Sequence, residues 1–248
     1  MSISKILLSC LLFFACISCQ KQIDSQDPDP VIPPSGERIK TYTEDYTASS
    51  GHYVTTYNLS YDASGKIISL VSATSPGDRF EYKYATGMVT LDLYNANVLA
   101  IHELLFLNSN SFIDSTVADN GPDDSTSEKY EYNAAKQLTK LTSYNILGGA
   151  HTVDDVSNYF YDGNGNQIKE VSKYFVTTYD YYPNLKNPIT FQSPFLPTPT
   201  LLIKTTTNTN GGTVVVLNHT YTFDSSNRLS TEKVVADNGE ILIKTYTY

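Results

Sequence analysis

The chain has 248 residues, a formal net charge of −9, 20 tyrosines and no tryptophan. An acidic chain lacks the basic patches that nucleic acid and anionic lipid surfaces require, so we expect neither as a binding partner. All three cysteines lie within the first 19 residues. The folded part therefore has no disulfide and no thiol nucleophile, and burial of apolar side chains must stabilise it.

The first 18 residues have the pattern of an export signal. Lys5 precedes an uncharged apolar stretch from Ile6 to Ile17, which is shorter than the roughly 20 residues of a membrane-spanning helix. The stretch ends in a small residue, Ser18, directly before Cys19. This ending resembles the lipobox of bacterial lipoproteins, which predicts acylation of Cys19. The alternative is an ordinary secretory signal that is cleaved nearby.

Residues 19–36 are predicted to form the acylated cysteine and a proline-rich linker. The segments Asp27-Pro28-Asp29-Pro30 and Pro33-Pro34 favour an extended chain, with a rise of about 3.1 Å per residue. We therefore expect a tether that holds a domain over residues 37–248 away from a membrane.

Residues 37–248 have the pattern of strands and tight turns. Apolar residues alternate in period two, as in Tyr57-Asn58-Leu59-Ser60-Tyr61, which is typical of a strand with one buried face. An Asp or Asn opens each turn, and an aliphatic residue follows five positions later. The pairs are Asp62 with Ile67, Asn133 with Leu138, and Asp224 with Leu229. At Asp162 we expect the aliphatic residue one place later, at Ile168.

These repeats predict an all-β fold. The acidic or amide side chain can accept backbone N–H groups within its turn, and Gly or Asn at the fourth turn position tolerates positive φ. Since an isolated hairpin is marginally stable, we expect one large curved antiparallel sheet or an open barrel of about 12–15 strands. Val98–Leu107 is predicted to be a fully buried strand and not a helix. The prolines of residues 191–200 predict a loop or an edge connection.

The turn pattern resembles the YD-type repeats of RHS-like proteins. The chain looks still more similar to Bacteroidetes-type lipoproteins of unknown function, whose domain is described as a porin-like, rolled antiparallel sheet. Residues 182–189, Tyr-Pro-Asn-Leu-Lys-Asn-Pro-Ile, are similar to the Tyr-Asp-x-Lys-x-Asn-Pro-Phe element of that group. The resemblance covers residues 40–248. It implies the fold and an outer-membrane location, either periplasmic or surface-facing, and carries over no catalytic residue.

Candidate binding residues fall into three groups. Carboxylates cluster in one loop at Asp119, Asp123 and Asp124, where a weak cation site is the alternative to a solvated acidic loop. Ser115 and Ser125 follow aspartates, as in the O-glycosylation sequon of this bacterial group. A dense aromatic segment predicts an exposed platform for glycan or peptide, made of Tyr174, Tyr179, Tyr181 and Tyr182.

No catalytic, metal-binding or cofactor-binding constellation is recognisable in the sequence. The run Asp162-Gly163-Asn164-Gly165 alternates oxygen ligands as in a calcium loop, but a turn explains it without a metal. Glycoside hydrolysis needs two carboxylates at a set distance in the folded chain. Sequence spacing does not give that distance, so a pair of this kind remains an alternative. We therefore expect a non-enzymatic envelope module that binds a glycan, a peptide or an envelope protein. The alternatives are a structural component of an outer-membrane complex and a glycan-active hydrolase.

Overall fold

The fold is given by a computed structural model that describes residues 38–119, 125–187, 195–197 and 199–248. These ranges hold no helix that is long and apolar enough to cross a membrane. The strands are β1 (Thr41–Ala48), β2 (Gly51–Tyr61), β3 (Ile67–Ser72), β4 (Arg79–Ala85), β5 (Met88–Asn95), β6 (Val98–Leu107), β7 (Ile113–Asp119), β8 (Ser125–Tyr132), β9 (Leu138–Leu147), β10 (Ala150–Tyr161), β11 (Gln167–Val171), β12 (Phe175–Lys186), β13 (Leu201–Asn210), β14 (Thr213–Phe223), β15 (Leu229–Ala236) and β16 (Ile241–Thr247).

The sixteen strands form one antiparallel barrel. Each strand pairs with its neighbours in sequence, and β1 pairs with β16 from Thr41↔Thr247 to Thr47↔Ile241. The predicted all-β fold of successive hairpins is confirmed. The barrel is closed and not open, because the first and last strands hydrogen-bond to each other and leave no free sheet edge between them.

The predicted turns are confirmed in their chemistry. The Asp62 carboxylate accepts the backbone N–H of Lys66 at 2.9 Å, and the Asp224 carboxylate accepts that of Arg228 at 2.9 Å. The fourth turn residue has positive φ in each case, 91° at Gly65 and 60° at Asn227. The chain then re-enters the sheet through a bulge opposite the end of the preceding strand.

One turn departs from the prediction. After Asp162 the buried position is taken by Gln167, which is 2% exposed, whereas Ile168 is 41% exposed. The turn therefore keeps the same five-residue spacing as the others, and the expected shift to Ile168 is wrong. The hydrogen bonds of the turn set the register, so a polar side chain is buried where an aliphatic one was expected.

The strand at Val98–Leu107 is confirmed, but its predicted complete burial is wrong. Val98 is 67% and Leu99 is 49% exposed. The far part of β6 extends beyond its neighbour β7, whose ladder begins at the His102↔Asp119 pair. Apolar residues of this segment therefore stand at the barrel rim.

Tyrosine hydroxyls connect neighbouring strands in pairs at one end of the barrel. Each comes from an even-numbered strand or the C-terminal residue, and each donates to a backbone carbonyl at the start of the preceding strand or just before it. Because a buried phenol must donate its hydrogen bond, these contacts fix the height of one strand against the next. The pairs are Tyr61 with Ile39, Tyr84 with Ile67, Tyr132 with Ile113, Tyr161 with Leu138, Tyr181 with Gln167, Tyr221 with Ile203 and Tyr248 with Leu229.

The two ends of the barrel differ. The turns after even-numbered strands lie at one end, together with Arg38 and Tyr248; we call this the plugged end. The turns after odd-numbered strands lie at the other, which we call the far end. The apolar clusters lie toward the plugged end and contain Ile39, Tyr42, Leu59, Ile67, Leu70, Leu229, Tyr246, Val89, Leu105, Ile113, Tyr130, Leu138, Tyr159 and Phe195.

Residues 195–197, from the connection between β12 and β13, lie at the plugged end. Phe195 is 7% exposed, its ring centroid lies 5.9 Å from that of Tyr84 on β4, and its carbonyl accepts the N–H of Ile113 on β7. Since β4 and β7 lie across the ring from β12 and β13, Phe195 fills part of the barrel interior at this end, within the second apolar cluster. The predicted loop is confirmed for 195–197 and 199–200, and residues 191–194 and 198 lie outside the described residues.

We expect each hydroxyl of the tyrosine set to contribute measurably to stability. Replacing Tyr132 by Phe removes the donor to the Ile113 carbonyl, 2.7 Å away, and should lower the free energy of unfolding by about 1 kcal/mol. The matched control is Tyr53→Phe. Tyr53 is 44% exposed, so loss of its hydroxyl should change the free energy of unfolding little. Urea unfolding of both variants measures the difference, and equal midpoints would contradict a role for the hydroxyl.

Candidate functional site

The candidate site is the lumen between the apolar clusters and the far end. Side chains alternate between the two faces of each strand, so the residues that share a face with the buried Tyr42, Tyr130, Tyr159 and Tyr246 point inward. This face carries a band of charged and polar groups at mid-height: Glu44, Glu103, Glu128, Glu170, His219, Glu232 and Lys244.

One wall of the lumen holds a buried ion network. The Glu232 carboxylate lies 3.0 Å from His219 Nδ1 and 3.1 Å from Lys244 Nζ, and all three residues are under 9% exposed. His219 Nε2 lies 3.1 Å from the Thr206 hydroxyl. Burial alone would raise the pKa of Glu232, but the charges of Lys244 and His219 lower it to about 2. The network therefore keeps Glu232 ionised and partnered.

The opposite wall carries carboxylates without a buried cation. Glu103 on β6 and Glu128 on β8 face the lumen on either side of β7, where Thr116 hydrogen-bonds to Glu103. Burial, followed by the charge of Glu128, raises the pKa of Glu103 to about 7. Burial also raises the pKa of Glu128, against the lowering effect of hydrogen bonds from Tyr130 and Ser143. This wall favours ligands that donate hydrogen bonds or carry positive charge.

Glu170 continues this wall on β11. It accepts hydrogen bonds from Ser157, Tyr159 and Tyr179, and burial raises its pKa against their effect. Gln167, on the same strand, is 2% exposed, and its side-chain oxygen has no hydrogen-bond partner among the described residues. Tyrosine hydroxyls and acceptor oxygens thus alternate around this part of the lumen.

The lumen is accessible from the far end. The inward residues nearest that end are half-buried or exposed, in contrast to the fully buried positions at the plugged end. The far-end residues include the half-buried Thr55, Ile101, Thr126 and Leu217 and the exposed Asn145. Together with the plugged end, this makes the barrel a cup.

The structure does not assemble the predicted tyrosine platform on one exposed surface. Tyr179 is 8% exposed and faces the lumen. The Tyr181 and Tyr182 hydroxyls donate to the carbonyls of Gln167 and His219, because both side chains are half-buried against neighbouring strands. Only Tyr174 is exposed, at 47%, and it stands at the far end after β11. The density of tyrosines here arises from interior packing and hydroxyl bonding.

The other candidate residues are dispersed. Asp119 is exposed at the end of β7, Asp123 and Asp124 lie outside the described residues, and no group of three metal-ligating side chains occurs in the part of the chain that the structure describes. Ser115 lies within β7 and Ser125 begins β8. Their glycosylation stays a prediction. Cys19 precedes the described residues.

Sequence reasoning missed the lumen glutamates. A signal was present, since Glu103 interrupts the apolar run of β6 and Glu128 precedes Tyr130 by two, as Glu44 follows Tyr42 by two. A charged residue on the aromatic face of a strand indicates a polar interior. Which carboxylates meet depends on register around the ring, and no local pattern gives that.

Comparisons with known proteins support the fold and give no information on the site. The structure is similar to that of a porin-like protein from Bacteroides uniformis, with a TM-score of 0.62 and 11% identity over 84% of this chain and 96% of that chain. A porin-like protein from Bacteroides vulgatus gives a TM-score of 0.60 and 13% identity over 85% of this chain and 98% of that chain. No protein-family model and no curated protein matches the chain. These likenesses confirm the rolled antiparallel barrel.

Removal of the Glu232 carboxylate should strongly destabilise the barrel. Glu232→Gln leaves Lys244 buried without its anion, and loss of one partner from a buried ion pair costs about 3–5 kcal/mol. Because the folded pKa of about 2 lies below the ordinary 4.5, this contribution is present above pH 4.5 and is lost as pH falls toward 2. The control is Asp45→Asn, at an exposed pair with His52. Chemical denaturation that gave equal losses for both variants would contradict the network.

The carboxyl group of Glu103 should make stability depend on pH in the direction opposite to that of Glu232. Its folded pKa of about 7 lies above the ordinary 4.5, so the folded state binds a proton that the unfolded state releases between these values. Stability should therefore fall as pH rises from 4.5 to 7. Glu103→Gln should raise the free energy of unfolding at pH 8 by on the order of 1–3 kcal/mol and change it little at pH 4. A gain that is equal at both pH values would exclude titration of Glu103 as the cause.

Proposed function

We propose that the chain is an exported lipoprotein of the bacterial outer membrane whose barrel binds a ligand in its lumen without converting it. The observation that carries this proposal is the cup: an apolar plug covers one end, and a polar lumen is accessible from the other. A barrel that is covered at one end is suited to holding a molecule and not to conducting one.

The outer face of the barrel supports a position in water. Strand β1 presents Thr41, Thr43, Asp45 and Thr47 outward, and ion pairs such as Lys140–Glu131 lie on this face. A barrel that spans a bilayer has the reverse arrangement, with an apolar outward band about 25 Å tall and a polar interior. The apolar clusters here lie inside. Attachment through Cys19 and the proline-rich linker would then supply the membrane contact.

The lumen wall favours a glycan fragment as the ligand. Glu103, Glu128 and Glu170 supply acceptor oxygens for sugar hydroxyls, and tyrosine rings such as Tyr179 lie beside them. Ligand sites of this kind combine aromatic walls with a few polar groups that fix orientation. A basic peptide is the second class that the same wall would accept.

A glycan array followed by titration of the selected glycans tests the proposal. We expect binding that falls at least tenfold in Glu128→Gln, because the variant replaces an inward carboxylate by an amide. Glu131→Gln is the control, since Glu131 lies on the same strand but is exposed and paired with Lys140. Equal effects of the two variants would place the ligand outside the lumen.

The same samples separate the alternative functions. Release of reducing ends from a bound glycan, abolished by Glu103→Gln, would favour the hydrolase, because a carboxyl group with a pKa of about 7 beside a second carboxylate is suited to acid catalysis. If no glycan binds but a set of basic peptides does, the ligand of the lumen is a basic peptide and not a glycan. Binding of neither would favour a structural component.

A further inference from the structure

Among the described residues of the far rim, strand β10 has the longest edge without a paired strand. The ladder between β10 and β11 includes only Asn158–Tyr161 of β10, whereas β10 begins at Ala150. Residues 150–157 therefore have β9 on one side and no strand on the other, within the ranges that the structure describes. Unpaired N–H and C=O groups in such an edge form a template for a further strand.

The turn before β10 determines which backbone groups face the open side. Gly148 and Gly149 form a two-residue turn with φ of 56° and 80°, and Leu147 faces Ala150 across it. In a hairpin of this type the residues that flank the turn bond to each other. The groups of the next residue, His151, and of Val153 after it then point away from β9.

A cleft of about 460 Å³ lies along this edge. Its apolar surface comes from Val153, Val156 and Val171, and its polar surface includes Asp154, Asp155 and Lys173. Val153 is 60% exposed, although a valine on a strand normally packs against a neighbour. A register shift at Asp154 separates the two halves of the edge. The cleft thus offers a strand edge and apolar surface side by side.

Charge indicates what occupies the cleft. Asp155 accepts the N–H of Lys173 at 2.9 Å, and Asp154 lies 3.4 Å from the Tyr174 hydroxyl. Two aspartates against one lysine leave an excess of negative charge. If a second copy paired through this edge about a twofold axis, the aspartates at its centre would face their own copies, which is unfavourable. An extended segment with a basic side chain complements the edge instead.

We propose that the β10 edge binds an extended peptide segment of a partner protein by strand addition. The segment carries apolar side chains at alternate positions, which contact Val153 and Val156, and a Lys or Arg opposite Asp154. Backbone hydrogen bonds supply most of the affinity, and the side chains supply specificity. This site lies outside the lumen and does not depend on the function proposed for it.

Selection from a displayed library of random peptides about ten residues long, using the full chain in mild detergent, tests this proposal. We expect the selected peptides to share alternate apolar residues and one basic residue. Their affinity should fall at least tenfold on Val153→Pro, because proline removes an N–H that points to the open side. Methylation of alternate peptide nitrogens should abolish binding.

Val214→Pro is the matched control. Val214 follows a two-residue glycine turn on β14 and is 52% exposed, but its unpaired edge is shorter, since the ladder to β15 begins at Leu217. This variant should keep full affinity. Asp154→Lys tests the charge separately without altering the backbone, and it should reduce binding of the basic peptides tenfold or more.

Three results would overturn the proposal. Recovery of no peptide from the library would exclude a strand-addition site. Selected peptides that bind the Val153→Pro and Asp154→Lys variants as tightly as the original chain would place their site elsewhere. A concentration-dependent dimer in light scattering that Val153→Pro abolishes would identify the occupant as a second copy of the chain.

Discussion

The hydrogen bonds of one turn type determine the architecture of this barrel. A side-chain oxygen of Asp or Asn accepts N–H groups two and four residues later, as Asp162 does from Asn164 and Asn166. The bulge that follows returns the chain to the sheet one residue out of simple register. Where a tyrosine directly precedes the turn, at Tyr61, Tyr132 and Tyr161, it points inward and its hydroxyl donates to a carbonyl of the strand before it or of the residues leading into that strand. Turn, bulge and hydroxyl therefore operate as one unit.

Repetition of this unit at one end leads to the difference between the two ends. The hydroxyl contacts hold the strands level at the plugged end and leave their other ends free to differ in length. Strand β10 has 12 residues and its neighbour β11 has 5, so the far rim is uneven. Exposed apolar side chains occur on the protruding parts of strands, at Val54, Val98, Val153 and Val214. Regularity at one end thus permits variation at the other, where loops and edges are free to bind.

The sequence predicted the local units well and their global arrangement less well. Turn spacing is a property of a few adjacent residues, so Asp62, Asn133 and Asp224 were identified with their buried partners. Closure of the ring depends on the meeting of β1 and β16, about 200 residues apart in sequence, and no local pattern contains that contact. Gln167 shows the same limit, since its burial follows from turn geometry and contradicts its polarity.

The residues of the candidate site were predicted less well than the strands and turns. Tyrosines were recognised as an unusual feature, but exposure was inferred from their density, whereas Tyr179 packs inside and Tyr181 satisfies a backbone carbonyl. The lumen glutamates lie on β6, β8 and β11, and their common inward orientation follows from the registers of the strands between them. A carboxylate on a half-buried strand face is indistinguishable in sequence from one that faces water.

The point at which the chain enters the barrel bears on the anchoring proposed above. Arg38 lies at the plugged end, so the proposed acylation of Cys19 would attach the barrel to a membrane from that end. The lumen mouth and the β10 edge both lie at the far end, opposite the proposed point of attachment. Burial of apolar residues inside and at the plugged end leaves the far end free of structural demands. The same asymmetry that stabilises the fold thus leaves the far end as the place for the two binding surfaces that we propose.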